Sequence, residues 1–357
     1  MRTATGWHKR LASAAFSALV LVTAGASGSA RAATDEPARA LADVGNAVYL
    51  PNVTKMLGGE DGWQTPFIVQ NVGGTSTLVH LAFYSFADGT LVKTRVVPAL
   101  DPGKSFFHDP NGDADLAAGG QYSVVIRSSA SPVVALVNQH QNVRTSNGQA
   151  ALSYQGLSQG SRTMYAPFFT NVEGQWLTTL VVQNLGMRPA DVTLTFQPHV
   201  LGGTVVISRT IEPGRSSAID PRYEPQLARG VLYGVTLRAT QPIGVVVNGH
   251  WGLPRLLTGS GFSYNAAPAN DRPTSFLPYI AKNAGSRSTS LYVQNSATRD
   301  ITPRVLLCPL NDSLCAGGLN RSAPRPIPPG GVWDLSLNAS DIPDGEYSVY
   351  SYSDEGE

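Results

Sequence analysis

Apolar and polar residues alternate in the same way along three stretches of the chain. The first long strand of each stretch has apolar residues two positions apart, and the next strand repeats the alternation: Phe67, Val69, then Val79, Leu81, Phe83; Leu180, Val182, then Val192, Leu194, Phe196; Leu291, Val293, then Pro303, Val305, Leu307. This period of two is typical of half-buried strands that turn one face to a core. After the first 32 residues there is no sustained helical period, so the pattern predicts an all-β protein.

The same landmarks surround the alternation each time, which indicates three copies of one unit. Tyr49-Leu-Pro, Tyr165-Ala-Pro and Phe276-Leu-Pro each lead to a strand that ends in Val-Gln-Asn, at Asn71, Asn184 and Asn295. The asparagines lie 113 and 111 residues apart. Solenoid repeats are shorter, at roughly 20–50 residues, so we expect each copy to have its own core. The predicted repeats are 46–140, 165–250 and 276–357, with connectors at 141–164 and 251–275.

Turn residues between the short strands predict a two-layer fold. A Pro-Gly pair recurs at 102–103, 213–214 and 329–330. Proline fixes φ and glycine accepts positive φ, so such pairs separate strands. About seven short strands per copy predict three tandem antiparallel β-sandwich domains, immunoglobulin-like in the broad sense, with an eight-stranded jelly roll as the alternative. The aligned motifs Leu152-Ser-Tyr154 and Phe262-Ser-Tyr264 in the connectors indicate an ordered excursion or an extra edge strand in each, not a free linker.

The third copy has no counterpart of the last strand. An apolar run begins at Pro132 in the first copy, ten residues after Tyr122, and a similar run begins at Pro242 in the second. Ten residues after Tyr347 stands Glu357, the last residue of the sequence. Three explanations stay open: the sequence is cut short, the third copy is degenerate, or a strand donor from a partner completes it.

The N-terminal residues are typical of an export signal. Basic residues precede an apolar run at 11–24, and Ala30-Arg31-Ala32 fits a cleavage site. We therefore expect a signal peptide at 1–32, a flexible leader at 33–45, and a secreted or cell-surface protein. No later apolar stretch is long enough to cross a membrane, so no membrane insertion is expected after cleavage. In such a compartment the seven-residue spacing of Cys308 and Cys315 predicts a disulfide.

The net charge and the sequence motifs argue against several classes of function. With 26 basic and 25 acidic residues the chain is nearly neutral and has no strongly basic surface to bind nucleic acid. It contains no H-E-x-x-H or phosphate-binding loop motif, so we expect neither an enzyme nor a cofactor. The repeated Gln-Asn pairs and the repeated Tyr122, Tyr233 and Tyr347 are interpreted as structural. The expected partner is an unidentified protein or a cell-surface glycan.

Two sets of residues are candidates for binding. Trp63, Trp176 and Trp251 flank strands at the ends of the sandwiches, where they can stack on sugar rings, although packing between repeats explains them equally well. Asp109, Asn111, Asp113 and Asp115 alternate as in a calcium loop. That segment lacks the glycine and glutamate of an EF-hand, so a solvated acidic turn is favoured over a metal site.

The combination of Val-Gln-Asn, the alternating strand, the Asp88-Gly89 turn, the Pro-Gly pair and the final Pro-apolar strand resembles modules of secreted and cell-surface proteins of actinobacteria, Chloroflexi and relatives. The resemblance extends from Tyr49 to the end. It implies a β-sandwich at the cell envelope and supplies no catalytic residues. The predicted function is a non-catalytic exported repeat protein that serves as a structural, spacer or adhesion-type binding module. The alternative is a glycan-binding module that uses the loop-end tryptophans.

Overall fold

The computed structural model describes residues 16–23, 45–141, 150–172, 175–200, 202–253, 256–269, 274–285, 287–337 and 341–353. These residues form 24 strands and one 3-10 turn, Pro110–Gly112, and they contain no α-helix. The all-β expectation is therefore confirmed. Most of the predicted signal peptide and leader, at 1–15 and 24–44, lies outside the described residues, but part of the predicted signal forms strand β1 (Phe16–Thr23).

The strands of the first repeat form two sheets. They are β2 (Ala47–Lys55), β3 (Trp63–Gln64), β4 (Phe67–Asn71), β5 (Thr77–Ser85), β6 (Leu91–Leu100), β7 (Ser105–His108), β8 (Gly120–Ser128), β9 (Val133–Gln141) and β10 (Ala151–Gln155). One sheet has the order β2-β8-β5-β6, and the other has the order β10-β9-β4-β7 with β3 beside β9. Apolar side chains of both sheets, among them Phe67 and Phe83, form one buried cluster. The sheets therefore pack face to face.

The second repeat has the same pairing, but one long strand belongs to both of its layers. Its strands are β11 (Ser161–Thr170), β12 (Trp176–Asn184), β13 (Ala190–Pro198), β14 (Val205–Ile211), β15 (Ser216–Ile219), β16 (Leu232–Leu253), β17 (Leu256–Asn265) and β18 (Ala267–Pro268). The first half of β16 pairs with β11 and β13, and its second half pairs with β12 and β17. A separate buried cluster lies between the two layers.

The third repeat differs at one sheet position. Its strands are β19 (Thr274–Lys282), β20 (Ser288–Asn295), β21 (Pro303–Pro309), β22 (Leu319–Ser322), β23 (Val332–Leu335) and β24 (Gly345–Ser353). The sheet β19-β24-β21-β22 matches the first sheet of the other repeats. The second sheet is β1-β20-β23, so β1 lies where β9 lies in the first repeat. Among the described residues β24 is the last strand.

The predicted disulfide is present. The Sγ atoms of Cys308 and Cys315 are at bonding distance, 1.94 Å, and the bond closes the hairpin between β21 and β22.

Each of the three repeated Gln-Asn pairs ends a strand. The asparagine side chain stabilises the corner that follows through hydrogen bonds. In the first repeat Asn71 donates through Nδ2 to the carbonyls of Thr75 (2.7 Å) and Leu100 (2.8 Å), and its Oδ1 accepts from the Gly73 amide (2.9 Å). Asn184 and Asn295 make the equivalent three bonds. All three asparagines are fully buried. The structural interpretation of these residues therefore agrees with their contacts.

The Pro-Gly turn and the asparagine corner form one unit. The glycine of each turn has positive φ, between 72° and 76°, as the third position of a type II turn requires. Its amide donates to the backbone carbonyl of the corner asparagine; the pairs are Gly103–Asn71, Gly214–Asn184 and Gly330–Asn295. A side chain at these glycines would be strained, so the Pro-Gly pair recurs for a backbone reason.

Of the two expected forms of the connectors, the structure shows the extra strand, and each such strand carries a tyrosine that hydrogen-bonds the backbone at a register shift. β10 pairs with β9, and β17 pairs with the second half of β16. Pro51 in β2 and Pro167 in β11 each lie within a shift of register, as expected for a residue that lacks an amide hydrogen. The Tyr154 hydroxyl donates to the carbonyl of Asn52 (2.6 Å) and accepts from its amide (3.1 Å). Tyr264 bridges Phe168 in the same way.

Replacing the corner asparagine tests this account. We expect Asn71→Ala to lower the free energy of unfolding of the first repeat by about 2–4 kcal/mol, since it leaves buried backbone groups without partners. The neighbouring Gln70→Ala is the matched control, because Gln70 makes one exposed bond, to Gly103 O (3.1 Å); it should cost less than about 1 kcal/mol. Urea unfolding measures both, and equal losses in the two variants would contradict the role of the corner.

Candidate functional site

In the second and third repeats, the glutamine of the Gln-Asn pair links its repeat to the preceding one. Gln183 donates through Nε2 to the carbonyl of Gly214 in its own repeat (2.8 Å) and of Val124 in the first repeat (3.5 Å). Gln294 repeats both bonds one repeat later, to Gly330 (3.0 Å) and Val235 (3.3 Å). Val124 and Val235 occupy equivalent positions, two residues after the recurring tyrosines. The same side chain therefore bridges both junctions.

At each junction a tyrosine hydroxyl of the preceding repeat also donates a hydrogen bond to the following repeat. Tyr49 donates to the carbonyl of Leu185 (3.3 Å), and Tyr165 donates to that of Ser296 (3.0 Å). Both acceptors directly follow a corner asparagine. The third repeat has Phe276 at the tyrosine position, and this side chain is exposed. The two junctions thus use one head-to-tail arrangement, a heterologous interface in which two different surfaces meet.

The second junction also contains a group of aromatic side chains. Phe168, Phe262, Tyr292 and Val332 form a buried cluster, with Trp176 packed against it. The rings of Phe168 and Tyr292 lie 4.7 Å apart, and those of Trp176 and Phe262 lie 4.8 Å apart. This cluster makes the second junction partly apolar.

The structure brings two of the three candidate tryptophans together. Trp176 and Trp251 lie opposite each other on β12 and β16, with ring centroids 5.3 Å apart. Trp63 instead packs against His250, at 5.9 Å. Successive strand residues point to opposite faces, so Trp63 and Trp176 contact different sides of β16. All three rings are half-buried against other aromatic rings, and they do not form one common platform.

A cleft of about 350 Å³ lies between the second and third repeats. Its polar lining comes from His199, Arg325 and Asp334, and its apolar lining includes Leu232 and Trp333. Junctions between folded units are common places for ligand sites, and this volume is at the lower end of their usual range, roughly 300 Å³. Sequence reasoning missed the cleft because its polar residues are far apart in the chain and form no motif.

In the cleft His199 is held neutral. Its Nε2 donates to the carbonyl of Pro167 (3.0 Å). Burial lowers the pKa of His199 to about 4. Asp334 also lines the cleft and is exposed, yet partial loss of water around its carboxyl raises its pKa. The cleft therefore presents a neutral imidazole, a guanidinium and a carboxyl around an apolar floor, which suits a small polar ligand better than an extended apolar one.

The acidic turn of the first repeat is neutralised by lysine. Lys93 Nζ contacts Asp113 Oδ1 at 2.5 Å and Asp115 Oδ2 at 2.8 Å. Lys55 Nζ donates to the backbone carbonyls of Asp113 (2.7 Å) and Leu116 (2.8 Å). Burial opposes the charge of Asp113, but the hydrogen bond from Lys93 brings its pKa below the ordinary value.

Asp109 Oδ1 accepts from the backbone amide of Asn111 (2.9 Å) and so caps the 3-10 turn. Of the four calcium candidates, Asp113 and Asp115 are thus ion-paired with Lys93, while Asp109, Asn111 and Asp115 are exposed to solvent, as expected for an acidic surface turn. Among the described residues, those of this turn included, no three His, Cys, Asp or Glu side chains form a group suited to a metal ion.

Beside this turn a histidine is buried in the core of the first repeat. His108 lies against the rings of Phe67 (5.0 Å) and Phe83 (5.1 Å). The Arg95 guanidinium lies 3.1 Å from its Nδ1, so this nitrogen accepts and the ring proton is on Nε2, 3.5 Å from Asp113 Oδ2. Burial lowers the pKa of His108 to about 4. The second repeat has Ile219 at the equivalent strand position.

Comparison with known proteins adds only a weak structural likeness. No protein-family model and no curated protein sequence matches the chain. A crystal structure of Thermotoga maritima 1070 is similar to part of it, with 16% sequence identity and a TM-score of 0.28. The match covers 30% of this chain and 95% of that chain. No helix among the described residues is long and apolar enough to cross a membrane.

The buried histidine predicts acid sensitivity of the first repeat. The unfolded ring binds its proton near pH 6.5 and the folded ring only near pH 4, so the unfolded state gains protons first as the pH falls. The contribution of the neutral His108 ring to the free energy of unfolding is therefore fully present above about pH 6.5. It is lost towards pH 4, by up to about 3 kcal/mol. We expect His108→Ile, the residue of the second repeat, to flatten this dependence in urea unfolding at pH 7 and pH 4.5. The exposed His80→Gln should keep the wild-type slope, and an unchanged slope in His108→Ile would contradict the assignment.

Proposed function

We propose that the chain is a non-catalytic exported array of three β-sandwich modules, at 46–140, 165–250 and 276–357, that spaces or displays a binding surface at the cell envelope. The observation that supports this proposal is the recurrence of the junction. Gln183 and Gln294 make the same bonds to the preceding repeat, and Tyr49 and Tyr165 make the same bonds to the following one. A chain whose repeated polar residues join neighbouring repeats is suited to holding those repeats at fixed distances from one another.

The modules of this proposal are immunoglobulin-like only in the broad sense. In an immunoglobulin sandwich the first strand pairs with the second and the last with the sixth. In the first repeat β2 pairs with β8, the sixth main strand, and β9 pairs with β4, the second. The proposed module is thus a related sandwich in which the first and last strands have changed sheets.

The chemistry of the junctions supports a stiff array. Gln183 and Gln294 are fully buried, and a buried amide that loses its acceptor costs more than an exposed one. Bending at a junction would break these bonds and open the contact of Tyr165 with Ser296. The disulfide fits an oxidising, extracytoplasmic compartment, in line with the proposed signal at 1–32.

Removing the bridging glutamines tests the array. We expect Gln183→Ala with Gln294→Ala to weaken the coupling of the repeats by about 1–3 kcal/mol per junction, because each change removes a buried bond across it. Calorimetry should then show separate unfolding transitions where the parent chain shows more concerted unfolding. Gln70→Ala is the matched control, since Gln70 has no preceding repeat to bridge. If the double variant and the control unfold alike, the glutamines do not join the repeats.

Glycan binding is the second candidate function. The specific observation in its favour is the pair Trp176 and Trp251, whose half-buried rings leave part of their surface accessible at the second repeat. If this candidate is correct, a glycan array should bind the chain, and Trp251→Ala should lose the signal while Trp63→Ala, on the other side of β16, keeps it. An array without signal, or one insensitive to Trp251→Ala, would leave the spacer role as the better proposal.

A further inference from the structure

The strand β20 of the third repeat has an outer edge that its own repeat does not cover. In the first repeat the equivalent strand β4 lies between β9 and β7, and in the second repeat β12 lies between β16 and β15. In the third repeat β23 covers one side of β20. On the other side, the described residues of repeat three supply no strand. An uncovered edge leaves backbone donors and acceptors without partners, which makes it a template for another strand.

The strand at this position also has a role in the core of the first and second repeats. In the first repeat β9 contributes Val133, Ala135 and Val137 to the buried cluster. In the second repeat Ile243, Val245 and Val247 of β16 do the same. The cluster of the third repeat has Leu291 and Val293 from β20, but among its described members there is no such row beside them. We therefore expect a strand with apolar residues at this position next to β20.

An apolar strand from the N-terminal segment occupies this position. β1 pairs with the whole of β20 in parallel, from Phe16 opposite Ser288 to Thr23 opposite Asn295. In this register Leu19 and Leu21 lie opposite Leu291 and Val293. Neither strand contains a charged residue, so the pairing buries no charge. The sequence of β1 is rich in valine and leucine, and β-branched valine suits a strand.

We propose that the outer edge of β20 is an acceptor for one extended apolar strand, and that Phe16–Thr23 is the strand that fills it in the full-length chain. The N-terminal segment then has a role beyond the export signal that its sequence predicts. Cleavage near Ala32 would remove the strand and uncover the backbone groups of β20. The inference does not depend on the proposed spacer function, because it concerns the completion of a single repeat.

Hydrogen exchange tests the proposal directly, with the full-length chain compared with a chain that begins at residue 33. We expect the amides of Ser288–Asn295 to exchange at least about tenfold faster in the shorter chain, since exchange follows local opening of the pairing. Strands β4 and β12 are internal controls, because their neighbours are present in both proteins. Equal exchange of Ser288–Asn295 in the two proteins would overturn the proposal.

A second experiment adds a peptide to the shorter chain and identifies the strand that pairs with β20. This experiment is also informative if the third repeat of the shorter chain unfolds as a whole. We expect a peptide of residues 14–25, with added terminal lysines for solubility, to restore the protection of Ser288–Asn295 in the shorter chain. The same peptide with Leu19→Glu and Leu21→Glu should not restore it. Failure of the first peptide, equal effects of both peptides, or protection that arises from dimerisation of the shorter chain would each overturn the assignment of Phe16–Thr23.

Discussion

The need to satisfy backbone hydrogen bonds at one corner governs the architecture of every repeat. Where the first core strand ends, the chain must turn inside the protein, away from water, and each buried amide and carbonyl there needs a partner. The side chains of Asn71, Asn184 and Asn295 supply three bonds each at this point. The Pro-Gly turn meets the same corner through its glycine amide. Two motifs that are about 30 residues apart in the sequence therefore recur together because they form one structural unit.

The neighbouring glutamine extends this unit from the repeat to the array. Its amide reaches the Pro-Gly turn in all three repeats, and in the second and third repeats it also reaches the preceding one. A single dipeptide thus serves folding through the asparagine and assembly through the glutamine. This division explains why both polar residues recur in all three repeats. It also explains why Gln70 of the first repeat is only partly buried, unlike Gln183 and Gln294, and why Phe276 of the third repeat is exposed.

Local signals in the sequence predicted most of the strands but not how they pair. The alternation around Phe67 and Leu180, the Pro-Gly turns, the cystine and the edge strands of Tyr154 and Tyr264 all follow from short-range chemistry. The pairing of β2 with β8 instead of with β4 depends on contacts distant in sequence, which periodicity does not encode. Likewise, the burial of His108 could not be read from its position at a strand end, because Phe83 and Arg95 come from other strands. For β1, an apolar run reads equally as a signal segment and as a buried strand.

A distance measurement between neighbouring repeats tests the central claim that the junction contacts fix the repeats relative to one another. Spin labels at the exposed strand positions Val96 and Val206 would report on the first junction without touching either core. With both junction bonds in place, pulsed electron paramagnetic resonance should give one narrow distance distribution that does not change with temperature below unfolding. A broad distribution, typical of units joined only by a flexible connector, would contradict the claim.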